Sequence, residues 1–149
     1  GQAWLTAQGL PAAEARALWR ASGERPQDAM AYLASGRDVG LWARLPKAMQ
    51  QGDVAAIKDW SPVQAVDALH KLCHDMLAVR SGAAPRFFEP ASLPVVSEQT
   101  PSLARLTRWS RSLATATRTM EHPYNAGLMI ESLVSEAKSA LNSRIARNP

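Results

Sequence analysis

The chain has 149 residues, 46% of them apolar, which fits one domain of ordinary size, or slightly more, with a buried core. Its single cysteine, Cys73, excludes an internal disulfide framework, and no apolar run approaches the roughly 20 residues of a membrane span. The net charge of +4 permits an acidic or nucleic-acid partner without requiring one, and we expect a soluble cytoplasmic protein. Because the sequence starts at Gly1 without a methionine, we also expect it to be part of a longer protein.

Three short helices are predicted in the first 37 residues. The first covers residues 3–7, and Pro11 and Pro26 open the other two, because a proline suits the first turn of a helix. They are closed by Gly9, Gly23 and Gly36, because a glycine suits the residue after a helix end. The third helix is expected to turn three side chains inward, those of Met30, Leu33 and Ala34.

The middle of the chain predicts one interrupted helix and one long helix. Apolar residues at spacings of three and four indicate a helix that Pro46 should kink or divide, namely Val39, Trp42, Leu45 and Met49. Asp53 is expected to cap a brief helix that ends at Ile57. The segment from Ser61 to Gln64 has the pattern of a capping box, and its helix should run to about Arg80.

A long link and two further helices follow. Prolines at 85, 90 and 94 exclude a helix, and we expect Phe87 and Phe88 to fix the link to the core. The next helix should run from about Pro101 to Met120, with Leu103, Leu106, Leu113 and Met120 inward and Trp109 beside them. The last should start at the His122–Pro123 step, reach about Asn142, and bury Ile130, Leu133, Val134, Ala137 and Leu141.

Candidate chemistry is sparse. His70 and His74 are four residues apart on one helix and could share a metal ion, but a metal site needs a third ligand as well. The His74–Asp75 pair resembles the HD metal-dependent phosphohydrolases in these two letters alone, and that family needs a later aspartate than Asp75, which this chain lacks. No phosphate-binding glycine loop and no Gly-x-Ser-x-Gly elbow occurs. We therefore predict no catalytic residue, no cofactor and no metal.

A basic face is the second candidate. Residues 101–120 hold four arginines and no acid: Arg105, Arg108, Arg111 and Arg118. Three of them, Arg108, Arg111 and Arg118, fall within about one third of the helix circumference. Such a face can bind nucleic-acid phosphate, meet an acidic neighbouring subunit, or lie in solvent.

Three segments resemble a known family. Residues 119–133 resemble the C-terminal region of delta-prime subunits of the bacterial DNA polymerase III clamp loader. Within them, an Asn-x-x-Leu-x-x-Glu-x-Leu pattern is similar to the last collar helix of clamp-loader subunits. Its residues here are Asn125, Leu128, Glu131 and Leu133. The Pro85–Phe88 link with the helix before it is similar to the same family. Residues 23–29 resemble the lid of AAA+ proteins.

The resemblance implies an all-α architecture, with a three-helix AAA+ lid at 1–37 followed by a helical collar domain at 38–149. It implies a non-catalytic assembly role, with partners among the ATPase (gamma/tau type) and delta-type subunits, and with the sliding clamp and primed DNA reached through the whole complex only. No membrane and no small-molecule substrate is implied. Arg25 stands where a sensor arginine would, but without a phosphate-binding loop we assign it no nucleotide role.

An interface of this kind should leave some apolar side chains exposed. We predict interface positions at Trp109, Leu128, Met129 and Glu131, and a structural, hinge-like role for His122. The alternative function is a stand-alone nucleic-acid-binding module that uses the face from Arg105 to Arg118. A metal hydrolase at His70 and His74 is a third hypothesis.

Overall fold

Helices form wherever caps, prolines and glycines predict them. The computed structural model describes residues 1–120 and 125–142, in which 70% of the structure is helical and no strand occurs. The described α-helices are α1 (Gln2–Ala7), α2 (Ala12–Ala21), α3 (Pro26–Ala34), α4 (Leu41–Gln51), α5 (Pro62–Arg80), α6 (Leu103–Thr119) and α7 (Ala126–Asn142), with short 3-10 turns at Val54–Ile57 and Pro90–Ser92. The all-α prediction is confirmed.

Local side-chain hydrogen bonds set the starts of the long helices. At α5 the Ser61 hydroxyl accepts from the Gln64 backbone N–H at 3.2 Å, and the Gln64 side chain accepts from the Ser61 N–H at 3.0 Å, which completes the predicted capping box. Ser102 caps α6 by accepting from Arg105 N–H. Asn125 accepts from Leu128 N–H at 3.0 Å at the start of α7.

The core is one continuous apolar cluster. Helix α5 packs against α6 and α7, α4 packs against α7, and α2 joins α1, α3 and α4. Buried side chains extend from Leu5 on α1 to Leu141 on α7, so the apolar core continues across the predicted boundary at residue 37. The division into a lid and a collar stays a prediction.

Some predicted details are wrong. Helix α3 buries Ala29 and Tyr32, whereas Met30 is 54% exposed, because Tyr32 packs edge-to-face against Trp42 and Trp60 at centroid distances of 6.3 and 6.5 Å. Ala34 is also exposed and Leu33 is half-buried. The rotation of this short helix is therefore set by an aromatic contact rather than by its apolar spacing.

The interior of α4 and the starts of the first 3-10 turn and of α6 also differ from the predictions. Helix α4 is continuous through Pro46, whose ring is buried, so the two-helix alternative is wrong. Asp53 precedes the 3-10 turn without a side-chain cap. Helix α6 starts at Leu103 rather than at Pro101, because Ser102 caps the helix there. Leu103 is 53% exposed, so its predicted inward position is wrong. Helix α7 starts at Ala126, and the predicted start at His122–Pro123 lies outside the described residues.

None of the helices in the described ranges combines the length and the apolar character that a bilayer crossing requires.

Candidate functional site

Helices α6 and α7 carry both predicted sites and form a packed pair. Their inward faces bury the residues that the spacing predicted on α7, Ile130, Leu133, Val134, Ala137 and Leu141. On α6 the buried side chains are Leu106, Trp109 and Leu113, at spacings of three and four. The outward faces of the two helices are therefore presented on a rigid scaffold that is anchored to α5.

The predicted interface residues divide into two groups. Leu128 is 62% exposed and Glu131 is exposed, while Met129 is half-buried against the core. Trp109 is 3% exposed, so the expectation of an exposed indole is wrong. Its ring is buried because it lies three residues after Leu106 and four before Leu113, on the face that α6 turns inward.

The buried Trp109 has one unusual atom. Its indole Nε1 is covered and has no hydrogen-bond partner among the described residues. An unpaired buried donor typically costs about 1–3 kcal/mol of stability. Trp109 lines a cavity of about 180 Å³ between α6 and α7, which Arg105, Arg108 and Glu136 also line. The predicted interface residue thus lies at the wall of a small pocket.

The four predicted arginines are all exposed, and they point in two directions. Arg105 and Arg108 line the cavity beside Trp109. Arg111 and Arg118 lie on the side of α6 opposite its buried face, by helical periodicity. No carboxylate of the described residues lies within ion-pair distance of any of the four, and Arg118 donates to the Thr115 hydroxyl at 3.2 Å.

The two histidines and the cysteine of α5 each contact a different group. His70 Nε2 is 3.1 Å from the Thr117 hydroxyl on α6, whereas His74 Nδ1 is 2.9 Å from Asp75 Oδ1. Cys73 is buried, its thiol donates to the Leu106 carbonyl at 3.5 Å, and burial raises the pKa of this thiol to about 12. Across residues 1–120 and 125–142 no three His, Cys, Asp or Glu side chains are close enough to hold a metal ion.

Asp75 has a role that the sequence reasoning missed. Its side chain is fully buried, and its two oxygens accept from the backbone N–H groups of Arg86, Phe87 and Phe88 at 2.9, 2.8 and 2.8 Å. One signal could have found it, since Asp75 directly precedes Met76 inside the apolar stripe of α5. A buried acid in such a stripe needs several hydrogen-bond donors. Asp75 is thus a clamp on the link between α5 and α6.

The link is held from its other side as well. Arg20 on α2 donates to the carbonyls of Pro85 and Phe88 at 3.1 and 2.7 Å. Trp42 donates from Nε1 to the Phe87 carbonyl at 3.0 Å, and its ring stacks on Phe88 at a centroid distance of 4.5 Å. Phe88 is fully buried and Phe87 is half-buried against the core, so the prediction that the two phenylalanines fix the link is confirmed.

The remaining candidates lie apart from these features or outside the described residues. Arg25, for which the resemblance implies a sensor-like position, is exposed and pairs with Asp28 at 3.8 Å. His122 lies outside the described residues, so its predicted hinge role stays a prediction.

Comparisons of the chain with protein-family models, with curated proteins and with solved structures find no match.

Proposed function

We propose that this chain is a non-catalytic assembly region of a bacterial DNA polymerase III clamp loader, of the delta-prime type, in which the α6–α7 pair contacts neighbouring subunits. In this proposal α1–α3 correspond to the AAA+ lid and the later helices to the collar. The neighbours are the ATPase and delta-type subunits, and the sliding clamp and primed DNA are reached through the complete assembly.

One observation supports the proposal most directly. In the Asn-x-x-Leu-x-x-Glu-x-Leu pattern, Asn125 caps α7 and Leu133 is buried, so the fold accounts for both. Leu128 is 62% exposed, and Glu131 is exposed without an ion pair to the described residues. These two side chains are three apart and share one face of α7. The fold does not need them, so they are available to a neighbouring chain.

The order of the preceding elements also supports it. The resemblance covers a long helix, a Pro-Arg-Phe-Phe link and two final helices. In the structure the link runs from α5 to α6 and is clamped by Asp75 and Trp42. A link held in this way helps to position the start of α6, and an assembly surface benefits from such order because ordering a loose surface costs affinity.

The test measures complex formation with the C-terminal domain of the ATPase subunit by native mass spectrometry. The unaltered chain should form a complex at micromolar concentration. Leu128→Glu should weaken it at least tenfold, because a charge would then be buried at an apolar contact. Met30→Glu is the matched control, because Met30 is a 54% exposed apolar residue on α3. Absence of any complex, or equal weakening by both variants, would contradict the proposal.

A stand-alone nucleic-acid-binding module is the second candidate. It is favoured by the four exposed arginines of α6, which form no ion pair with the described residues. Duplex DNA binding should then weaken steeply with salt, and Arg108→Gln combined with Arg111→Gln should abolish retention on DNA. A chain that shows no DNA affinity at low salt eliminates this candidate.

A further inference from the structure

The wall of the cavity between α6 and α7 includes arginine, tryptophan and glutamate side chains. Arg105 and Arg108 precede Trp109 by four residues and by one, so their side chains flank the indole at the cavity wall. The opposite wall comes from α7 and contains Glu136 and Ser139. With a volume of about 180 Å³, the cavity accommodates a side-chain-sized group rather than a whole ligand such as a nucleotide.

The indole and guanidinium donors at this cavity have no acceptor among the described residues. Trp109 is 3% exposed and its Nε1 has no partner among the described residues. Neither arginine forms an ion pair with a described carboxylate. The one acid in the lining, Glu136, accepts through Oε1 from the hydroxyl of Ser112, which also lines the cavity, at 2.8 Å. The cavity therefore has two guanidinium groups without a carboxylate partner among the described residues, beside a covered indole N–H that also has no described partner.

The charges select among acceptors. Guanidinium groups pair well with carboxylates and with phosphates. Glu136 places a carboxylate in the same cavity, which disfavours a doubly charged phosphate monoester more than a singly charged carboxylate. A duplex phosphodiester carries one charge, as a carboxylate does, so shape distinguishes the two. Duplex phosphates also line a broad surface, whereas this cavity lies between two helices. An aspartate or glutamate side chain fits the site better than a nucleic-acid backbone does.

We propose that the α6–α7 cavity binds an acidic side chain of a neighbouring protein chain, whose carboxylate is paired by Arg105 and Arg108 and accepts the indole N–H of Trp109. To reach the covered N–H, the carboxylate displaces the atoms that cover it. The proposal rests on the assembly role proposed above and adds the chemistry of the contact: an acidic segment on the partner, inserted between α6 and α7, where α7 also carries the exposed Leu128.

The test is an NMR titration of the ¹⁵N-labelled chain with an end-blocked hexaglutamate peptide. The signal observed is the indole N–H resonance of Trp109, which is assigned because it disappears in Trp109→Phe. The Trp109 resonance should move downfield as the N–H becomes hydrogen-bonded, and a hexaglutamine peptide should leave it in place. Arg105→Gln and Arg108→Gln should each weaken binding about tenfold, the loss expected for one charged hydrogen bond. Arg111→Gln, exposed on the far side of the same helix, is the control and should change binding less than twofold by the weakness of distant surface charges.

Three results overturn the inference: an unmoved Trp109 resonance at saturating peptide, an equal shift with hexaglutamine, or a shift produced by duplex DNA and not by the peptide. The titration needs no other subunit, so its failure is distinct from failure of the assembly proposal, which the complex-mass measurement decides. A complex that forms normally with Arg105→Gln, Arg108→Gln and Trp109→Phe also overturns the cavity contact while leaving the assembly role intact.

Discussion

Asp75→Asn should destabilise the chain by about 2–5 kcal/mol. Oδ2 of Asp75 accepts from Phe87 and Phe88 N–H, and Oδ1 accepts from Arg86 N–H and lies 2.9 Å from His74 Nδ1. An asparagine that keeps its oxygen towards the phenylalanines retains two bonds, each weakened by roughly 0.5–1 kcal/mol because the acceptor is no longer charged. Its amide then faces the Arg86 N–H and leaves that donor unpaired, at about 1–3 kcal/mol.

Urea unfolding followed by far-UV circular dichroism measures this loss, with Asp67→Asn as the matched control. Asp67 is also on α5, but its side chain is 63% exposed and pairs with Lys71 at 3.1 Å, so its loss should cost less than about 1 kcal/mol. Trypsin should also cleave after Arg86 faster in Asp75→Asn, because the link loses its clamp. Equal unfolding free energies for the two variants would refute the assignment of Asp75 as the residue that fixes the link.

Three further predictions concern burial and backbone conformation. Cys73 should resist alkylation in the folded chain and react after unfolding, because burial raises its thiol pKa to about 12; intact-mass measurement detects the adduct, and rapid labelling of the folded chain would contradict this. Gly52→Ala should lower the free energy of unfolding in urea more than Gly36→Ala does. Both positions have a positive φ (72° and 75°), but only at Gly52 would the new Cβ meet Lys138, at 2.7 Å. Equal losses for the two variants would refute this prediction. Burial raises the pKa of Tyr32 from 10.0 to about 12, so its contribution to stability is present below pH 10 and is lost between pH 10 and 12 as the unfolded phenol ionises first. Tyr32→Phe should flatten this part of the profile of unfolding free energy against pH, and an unchanged slope would count against it.

Helix boundaries were predictable where they depend on residues close in the sequence. The Ser61 capping box joins residues three apart and is predicted in full. The start of α6 was placed at Pro101, although Ser102 also accepts from the N–H three residues on. The buried face of α7 was also predictable, because a helix of 17 residues repeats its apolar spacing several times. Both kinds of signal are local, so a single sequence contains them.

Helix rotation was less predictable in short elements. Helix α3 has 9 residues, too few for its spacing to distinguish a face with Met30 from one with Tyr32. The decision comes from Trp42 and Trp60, which lie outside α3 and pack edge-to-face on Tyr32. Tertiary packing of aromatic rings determines such cases, and periodicity within the helix contains no information about it.

The partners of Asp75 on α5 were not predictable, for a related reason. The sequence shows a His74–Asp75 pair but does not identify the groups that Asp75 contacts in the fold. Those partners are backbone N–H groups 11 to 13 residues further along, which every residue except proline possesses. A buried acid therefore predicts that donors exist, but the pattern of residue types cannot say which donors they are.

A comparison of Trp109 with Trp42 measures the energetic cost of the unpaired indole N–H beside the α6–α7 cavity. Both rings are 3% exposed, but Trp42 Nε1 donates to the Phe87 carbonyl at 3.0 Å, whereas Trp109 Nε1 has no partner among the described residues. Changing either to phenylalanine loses a similar ring volume. Trp42→Phe also leaves the part-buried Phe87 carbonyl without this donor, while Trp109→Phe removes a donor that has no described partner. The loss in unfolding free energy should therefore be about 1–3 kcal/mol larger for Trp42→Phe, as measured by urea unfolding. Equal losses would mean that the Trp109 N–H is already hydrogen-bonded, and the cavity would then have only its two arginines to offer a partner.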